Sequence, residues 1–355
     1  MNMTVQPEIL KPPPTEVGLL GWLKKNLFST WSNTLLTFVS VPFIYLVLSA
    51  VITWVFQDAR WEVITTNFRV LMIGRYPREE AWRVLASLGI VVLLGLLTWI
   101  SQRVKRYPMA RWLVIGWLLS FPLIGVLLRG FSSENPYLPL VSEEIWSGLL
   151  LTLVLAIVGI VASFPIGILL ALGRRSKMPV IKVLSTVYIE TIRGVPLISV
   201  LFMSQVMLPL FLPPEIRLGT VMRALTGMTL FSAAYTAENV RGGLAAIPIG
   251  QYEAARAVGL NEALVMGLIV LPQALRAMIP AIVGQFISLF KDTTLVIIVG
   301  LLELLGIAKA VTGQKEFIGL HKEVYAFTAI LFFIFCYLMS YASRRLEQRL
   351  GVGER

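Results

Sequence analysis

Apolar residues run in long stretches along this chain, separated by short polar or basic connections. A helix needs about 20 apolar residues to cross the hydrocarbon core of a bilayer. By that measure the pattern predicts eight crossings, near 35–56, 84–100, 112–128, 149–172, 192–212, 221–237, 278–305 and 325–341. Pro122, Pro165, Pro196 and Pro280 fall inside these runs; membrane helices tolerate them because neighbouring groups re-satisfy the freed backbone. The expected fold is an all-α polytopic membrane protein with about eight transmembrane helices. Composition strengthens that reading. Of 355 residues, 57% are hydrophobic and only 14% charged, against roughly 25% charged in soluble domains. So apolar a chain requires lipid as part of its solvent.

The net charge of +11 is concentrated beside the apolar runs, at Lys24-Lys25 and within 103–111, 174–182 and 344–349. That placement is the signature of cytoplasmic anchors, so nucleic acid is not an expected partner. The connection carrying Glu134, Glu143 and Glu144 has only Arg129 on its basic side and reads as external. The first connection, 57–82, mixes both signs. Counting lysine and arginine therefore gives a multi-pass protein with both termini cytoplasmic. A single cysteine, Cys336, excludes an internal disulfide framework, and a single histidine, His321, excludes a two-histidine haem site. Both read as bland, a helix residue and a loop residue. No GxxxxGK[ST] loop is present, so nucleotide binding would belong to a partner. Neither catalytic nor metal-ligating residues are expected.

The connection at 239–272 differs from the others. Pro248 and Gly250 break the chain before a short helical stretch at 251–258, and Gly259 supplies a left-handed residue to end it. Helix resumes over 260–270, with Pro272 near the start of the next segment. Pattern alone fits either a docking element or a plain amphipathic surface helix.

Within this stretch, Glu253-Ala254-Ala255, Gly259 and Ile269-Val270-Leu271-Pro272 resemble the EAA loop of permease subunits of ABC importers. Three further segments are similar to the polar amino-acid branch of that family: Ile192-Arg193-Gly194-Val195-Pro196-Leu197, the run from Ala234 to Gly243, and the run from Leu289 to Leu295. The resemblance covers roughly 147–350. It implies a type I ABC-importer permease core in the last five crossings, with 141–350 as the core domain, 1–33 as a cytoplasmic leader and 34–140 as an extension of three helices. That long extension resembles the smaller permease subunit of Aap/Bzt-type general L-amino-acid importers. Val195 stands where the family often has threonine, which removes a hydroxyl there.

The resemblance implies that the short helix docks into a groove on an ATPase. Gln251, Glu253, Ala254, Ala255, Gly259 and Pro272 are then the coupling residues. Ala254 and Ala255 are small enough for two backbones to approach, and Glu253 favours the positive end of the helix dipole. Lys291 and Asp292 lie ~13 residues beyond Met278, near 20 Å into the membrane at ~1.5 Å per residue. Ionisable groups at that depth face a polar cavity or a partner, and a cation beside an anion complements a zwitterionic amino acid. Lys291, Asp292 and Thr293 are expected either to line the translocation pathway or to hold an interface with a second permease. Arg193 with Glu190, and Arg241 with Glu238, are each spaced for local ion pairs; Gly194 and Pro196 permit a bend or gate between them. Glu303 reads as an outer-gate or surface residue.

The expected function is that of a non-enzymatic permease subunit in the bacterial plasma (inner) membrane. It translocates L-amino acids delivered by a periplasmic or external solute-binding protein. The expected partners are a homologous second permease and an ABC ATPase dimer, with ATP and Mg held by the ATPase and no cofactor bound here. The alternative is a self-contained secondary transporter or channel, or a membrane scaffold contacting lipid.

Overall fold

A computed structural model describes residues 18–104, 107–132, 135 and 137–351. The first seventeen residues of the leader, Lys105 and Arg106 of the second connection, and Glu134 of the acidic one lie outside the described residues. Among the described residues all regular elements are helical apart from one isolated parallel bridge between Gly148 and Glu303. The chain divides into two compact units, Met1–Trp61 and Glu62–Arg355.

The first unit contains α1 (Gly18–Asn26), α2 (Trp31–Thr53) and a π-helical turn, Trp54–Asp58. Thr30 caps α2 by accepting from the Asn33 amide at 3.3 Å, satisfying one of the free donors at a helix start. No residue of α2 is buried. A helix that is apolar on every face and covered by no protein is one built to contact lipid.

The second unit begins with α3 (Glu62–Ile73), α4 (Ala81–Val104) and α5 (Tyr107–Arg129). There follow α6 (Gly148–Arg174), α7 (Pro179–Arg193), α8 (Leu197–Val206), α9 (Leu208–Phe211) and α10 (Thr220–Ala245). The remainder comprises α11 (Ile249–Ala257), α12 (Glu262–Leu264), α13 (Leu271–Ala277), α14 (Ile279–Asp292), α15 (Leu304–Thr312) and α16 (His321–Leu350). Residues 62–140 belong to the same unit as 141–350. The buried Tyr76 donates its hydroxyl proton to Leu128 O at 2.7 Å, Arg75 N donates to Ser147 Oγ at 2.9 Å, and α3 packs against α6, α15 and α16.

Among the described residues, six helical stretches are long and apolar enough to span a bilayer: Trp31–Asp58, Ala81–Ser101, Arg111–Arg129, Gly148–Arg174, Ile279–Val299 and His321–Leu350. Pro179–Arg193 and Leu197–Val206 pass the same test only as a pair, bent sharply at the break between them. The expected run at 221–237 lies in α10, which is long but richer in small and polar residues. Those residues let α10 pack against α6, the most extensive helix contact in this unit. A Cβ placed on Gly167 would fall 2.6 Å from Thr236 Cβ, so only glycine permits this approach. Beside it Ser163 Oγ donates to Ser232 Oγ at 3.1 Å. Close backbones and small hydrogen-bonded side chains are what hold helices together where lipid removes the hydrophobic incentive.

Two expected spans have different courses. The run at 192–212 is not one helix: α7 and α8 meet at 111°. Pro196 has no amide proton to continue α7, and its extended backbone (φ −59°, ψ 143°) starts α8 instead. The run at 278–305 ends earlier, because α14 tightens at Thr293 into a 3₁₀ segment, Thr293–Val299, that closes at a left-handed Gly300. Leu305 lies in α15, whose start is capped by Glu303. That carboxylate is fully buried and accepts from the amides of Leu305 and Gly306, each at 2.8 Å. Glu303 is therefore an internal N-cap, not a surface group. His321 opens α16 and stacks on Tyr325, and the described helix runs on to Leu350, well past the expected end at 341.

Candidate coupling site

The short helix foreseen at 251–258 is α11, Ile249–Ala257. Pro248 precedes it with extended backbone and Gly259 follows with φ +83°. Nothing lies within 4 Å of where a Gly259 Cβ would sit, so the requirement for glycine is purely conformational. The helix has two different faces. Ala255 is buried in an apolar cluster with Ala171, Ile189, Ala237, Val240 and Leu244. Gln251, Glu253 and Ala254 are exposed, as are Ile249 and Val258, at 74% and 76%.

Several contacts fix α11 against the helices behind it. Tyr252 donates to Leu244 O at 3.5 Å, and its ring receives the Arg175 guanidinium at 5.8 Å. Gln273 Nε2 donates to Gln251 Oε1 at 3.2 Å and to Ile269 O at 2.7 Å. Arg256 pairs with Glu262 through bonds of 2.8 and 3.2 Å. These bonds hold the Glu262 carboxyl below its ordinary range. The pairing is therefore present at neutral pH and is lost as pH falls through that lowered value. The return path from α11 is irregular. Asn261 caps α12 through the Leu264 amide at 3.0 Å, and residues Val265–Val270 then wind as a π-helix into Pro272 at the start of α13. Proline supplies no amide proton, and a π-helical turn is one way a helix absorbs such a gap in its ladder.

Next to this helix lies a network of charges from three elements. Arg174, at the end of α6, bridges Glu190 of α7 at 2.8 Å and Glu238 of α10 at 3.4 Å. Arg193 approaches Glu238 at 3.5 Å and lies over the Tyr235 ring at 5.5 Å. Arg241 Nε donates to both Glu238 oxygens, at 2.9 and 3.0 Å. The pair expected between Glu238 and Arg241 thus forms. The pair expected between Glu190 and Arg193 does not, because each finds a partner on another helix. Arg174 is the member the sequence reading missed; it appeared there only as one of a basic cluster. Gln273 was missed as well, and no pattern marks it. Lys291, Asp292 and Thr293 are not part of this network. They occupy the α14 terminus, where Lys291 is exposed and Thr293 fully buried. The hydroxyls of Thr293 and Thr294 donate to Phe290 O and Lys291 O at 2.7 and 2.8 Å, so these two carbonyls already have donors.

The network predicts a measurable salt effect. Glu238→Gln removes the carboxylate shared by three guanidiniums and is expected to cost about 1 kcal/mol, since the groups are partly exposed. Raising salt should lower the thermal midpoint of the parent protein toward that of the variant and leave the variant in place. Equal salt sensitivity of the two would show that the network contributes nothing.

Residues 163–352 match the family described as binding-protein-dependent transport system inner membrane component. The chain belongs to that family. Its relatives include the inner membrane amino-acid ABC transporter permease protein YhdY of Escherichia coli (strain K12). The two are 41% identical over 349 residues, which cover 94% of this chain and 93% of the relative. The glutamate/glutamine/aspartate/asparagine transport system permease protein BztC of Rhodobacter capsulatus is 35% identical over 423 residues, covering 98% of each chain. Among solved structures, one titled as the crystal structure of an amino acid ABC transporter with histidines aligns with a TM-score of 0.50 and 28% identity. It covers 57% of this chain and 92% of its own. As an inner membrane component of a binding-protein-dependent transport system, the chain is a multi-pass transport subunit. Family membership implies an ATPase and a substrate-binding protein as partners.

Proposed function

We propose that this chain is the permease subunit of an ATP-driven importer of L-amino acids, with α11 as the element that receives motion from the ATPase. The observation that carries this reading is the two-faced geometry of α11. One face is buried by Ala255 in an apolar cluster with residues of α6, α7, α10 and the Val265–Val270 turn, and the other presents Ile249, Glu253, Ala254 and Val258 outward. The relatives YhdY, an amino-acid permease, and BztC, a glutamate/glutamine/aspartate/asparagine permease, support the amino-acid substrate class. ATP and Mg are held by a dimeric ATPase, and this chain sits beside a homologous second permease with both termini cytoplasmic. Residues 34–140, with their three transmembrane helices, form an extension to the permease core. ATP binding does no bond chemistry in this chain. It favours one of two arrangements of the paired permeases, and the import cycle is a shift of population between them.

Substrate recognition is assigned to Lys291 and Asp292, whose adjacent positive and negative groups complement an ammonium and a carboxylate, with the buried Thr293 supporting them from behind. The bend at Gly194–Pro196 and the Arg193–Glu238–Arg241 charges form the hinge region that follows α11. The test is purification of the chain in mild detergent with mass spectrometry of what remains bound. An ATPase and a second, homologous permease in the same particle are expected. A stable particle of this chain alone that transports in response to an ion gradient would replace the proposal with a secondary transporter.

A further inference from the structure

Three arginines converge where two membrane-spanning helices reach their ends. Arg103 lies just beyond the apolar stretch Ala81–Ser101 of α4, and Arg345 and Arg349 lie in the last turns of α16. Together with Trp99, Ala342 and Leu346 they line a cavity of about 470 Å³. Two of the guanidiniums are held by aromatic faces: Arg103 stands 4.9 Å from the Trp99 ring and Arg345 4.7 Å from the Tyr341 ring. Stacking occupies the flat face of a guanidinium and leaves the N–H groups around its edge able to donate. The adjoining carboxylate, Glu347, accepts a hydrogen bond from Ser343 at 2.5 Å. The C-termini of α4 and α16 offset some of the positive charge, but each amounts to only about half a negative charge. Arg349 has a further interaction of its own, so Arg103 and Arg345 are the two guanidiniums that make the cavity suited to an anion.

We infer that this cavity is a binding site for the phosphate headgroup of an anionic phospholipid. Its depth favours a lipid over a free ion, because the arginines stand where apolar helix gives way to polar sequence, the level of the headgroups. Trp99 is 52% exposed, as is common for indole rings at a membrane interface. Trp99, Ala342 and Leu346 give the cavity an apolar floor that suits the glycerol and upper acyl region. Basic pockets between spanning helices on the cytoplasmic side are suited to such headgroups. The inference uses the membrane placement of α4 and α16 and does not depend on what is transported.

The experiment uses the full purified protein in detergent, titrated with phosphatidylglycerol or phosphatidylcholine and read by native mass spectrometry. The parent protein is expected to retain phosphatidylglycerol in preference to phosphatidylcholine. The triple variant R103Q/R345Q/R349Q should lose that preference, at about fivefold in affinity for each of Arg103 and Arg345. The control triple K177Q/K182Q/K322Q removes as much charge from exposed positions elsewhere and should bind as the parent does. Equal retention by the two triples, or equal retention of both lipids by the parent, overturns the site. Displacement of phosphatidylglycerol by a matched concentration of inorganic phosphate assigns the cavity to a free anion and overturns the lipid. If the triple variant does not fold, Arg345→Gln alone is expected to weaken phosphatidylglycerol about fivefold, and unchanged binding sinks the inference.

Discussion

Gly259→Leu is expected to cut ATP-driven uptake of a labelled amino acid in reconstituted vesicles by roughly tenfold or more, while the assembled complex still purifies. The backbone at 259 has φ +83°, which costs a residue with a Cβ roughly 1–2 kcal/mol. Leucine relieves that cost by moving to negative φ, and the chain then leaves α11 in another direction. Two bonds that close the turn go with it, from Gly259 N to Arg256 O at 2.9 Å and from Leu260 N to Ala255 O at 3.3 Å. Because no atom lies within 4 Å of the missing Cβ, bulk is not the cause. Gly259→Asn separates the two explanations. Asparagine tolerates the left-handed region and should keep most of the uptake. Wild-type transport by the leucine variant would remove the turn from the coupling pathway.

The largest loss of stability is expected from Arg83→Ala. This side chain is fully buried, with Nε 2.7 Å from Glu80 Oε2 and Nη1 donating to Pro139 O at 2.9 Å. It ties the start of α4 to the segment that follows α5. Truncation leaves the Glu80 carboxylate, itself only 18% exposed, without its cation, along with an empty volume. Breaking a buried pair from one side costs about 3–5 kcal/mol. The double variant R83M/E80Q removes both charges and should recover a large part of the loss. Thermal unfolding of the purified protein reads both changes. A midpoint for Arg83→Ala within about a degree of the parent's, well below the shift such a cost produces, would show that this pair is dispensable.

Membrane helices that face lipid were the most legible part of the fold. The expected 35–56, 84–100 and 112–128 fall inside Trp31–Asp58, Ala81–Ser101 and Arg111–Arg129, because lipid demands apolarity over the whole length and loops interrupt it. Inner segments were less clear. The run at 192–212 hides a sharp bend, since hydrophobicity has no term for direction, although Gly194 and Pro196 marked where it occurs. The run at 278–305 hides the change from α to 3₁₀ winding at Thr293. Within the site, Gly259 and the brackets around α11 could be read locally, because they depend on backbone preferences of single residues. The charge network could not. Arg174 and Glu238 are 64 positions apart in the chain and meet only because α6 packs on α10. Glu190 and Arg193 have the spacing of an ion pair, yet each prefers a helix brought in from elsewhere. Arg83 falls between the mixed connection, 57–82, and the run at 84–100, and nothing in the pattern sets it apart from Arg75 and Arg78.

The attachments of α11 have a mechanical consequence. Tyr252 joins it to α10, Gln251 joins it through Gln273 to α13, and Ala255 packs into the apolar cluster that both of those helices share. The helix is thus wired to its two neighbours in parallel, not in series. A push on its outer face reaches both at once, with neither acting as a relay for the other. Weakening either attachment then attenuates the stroke without interrupting it.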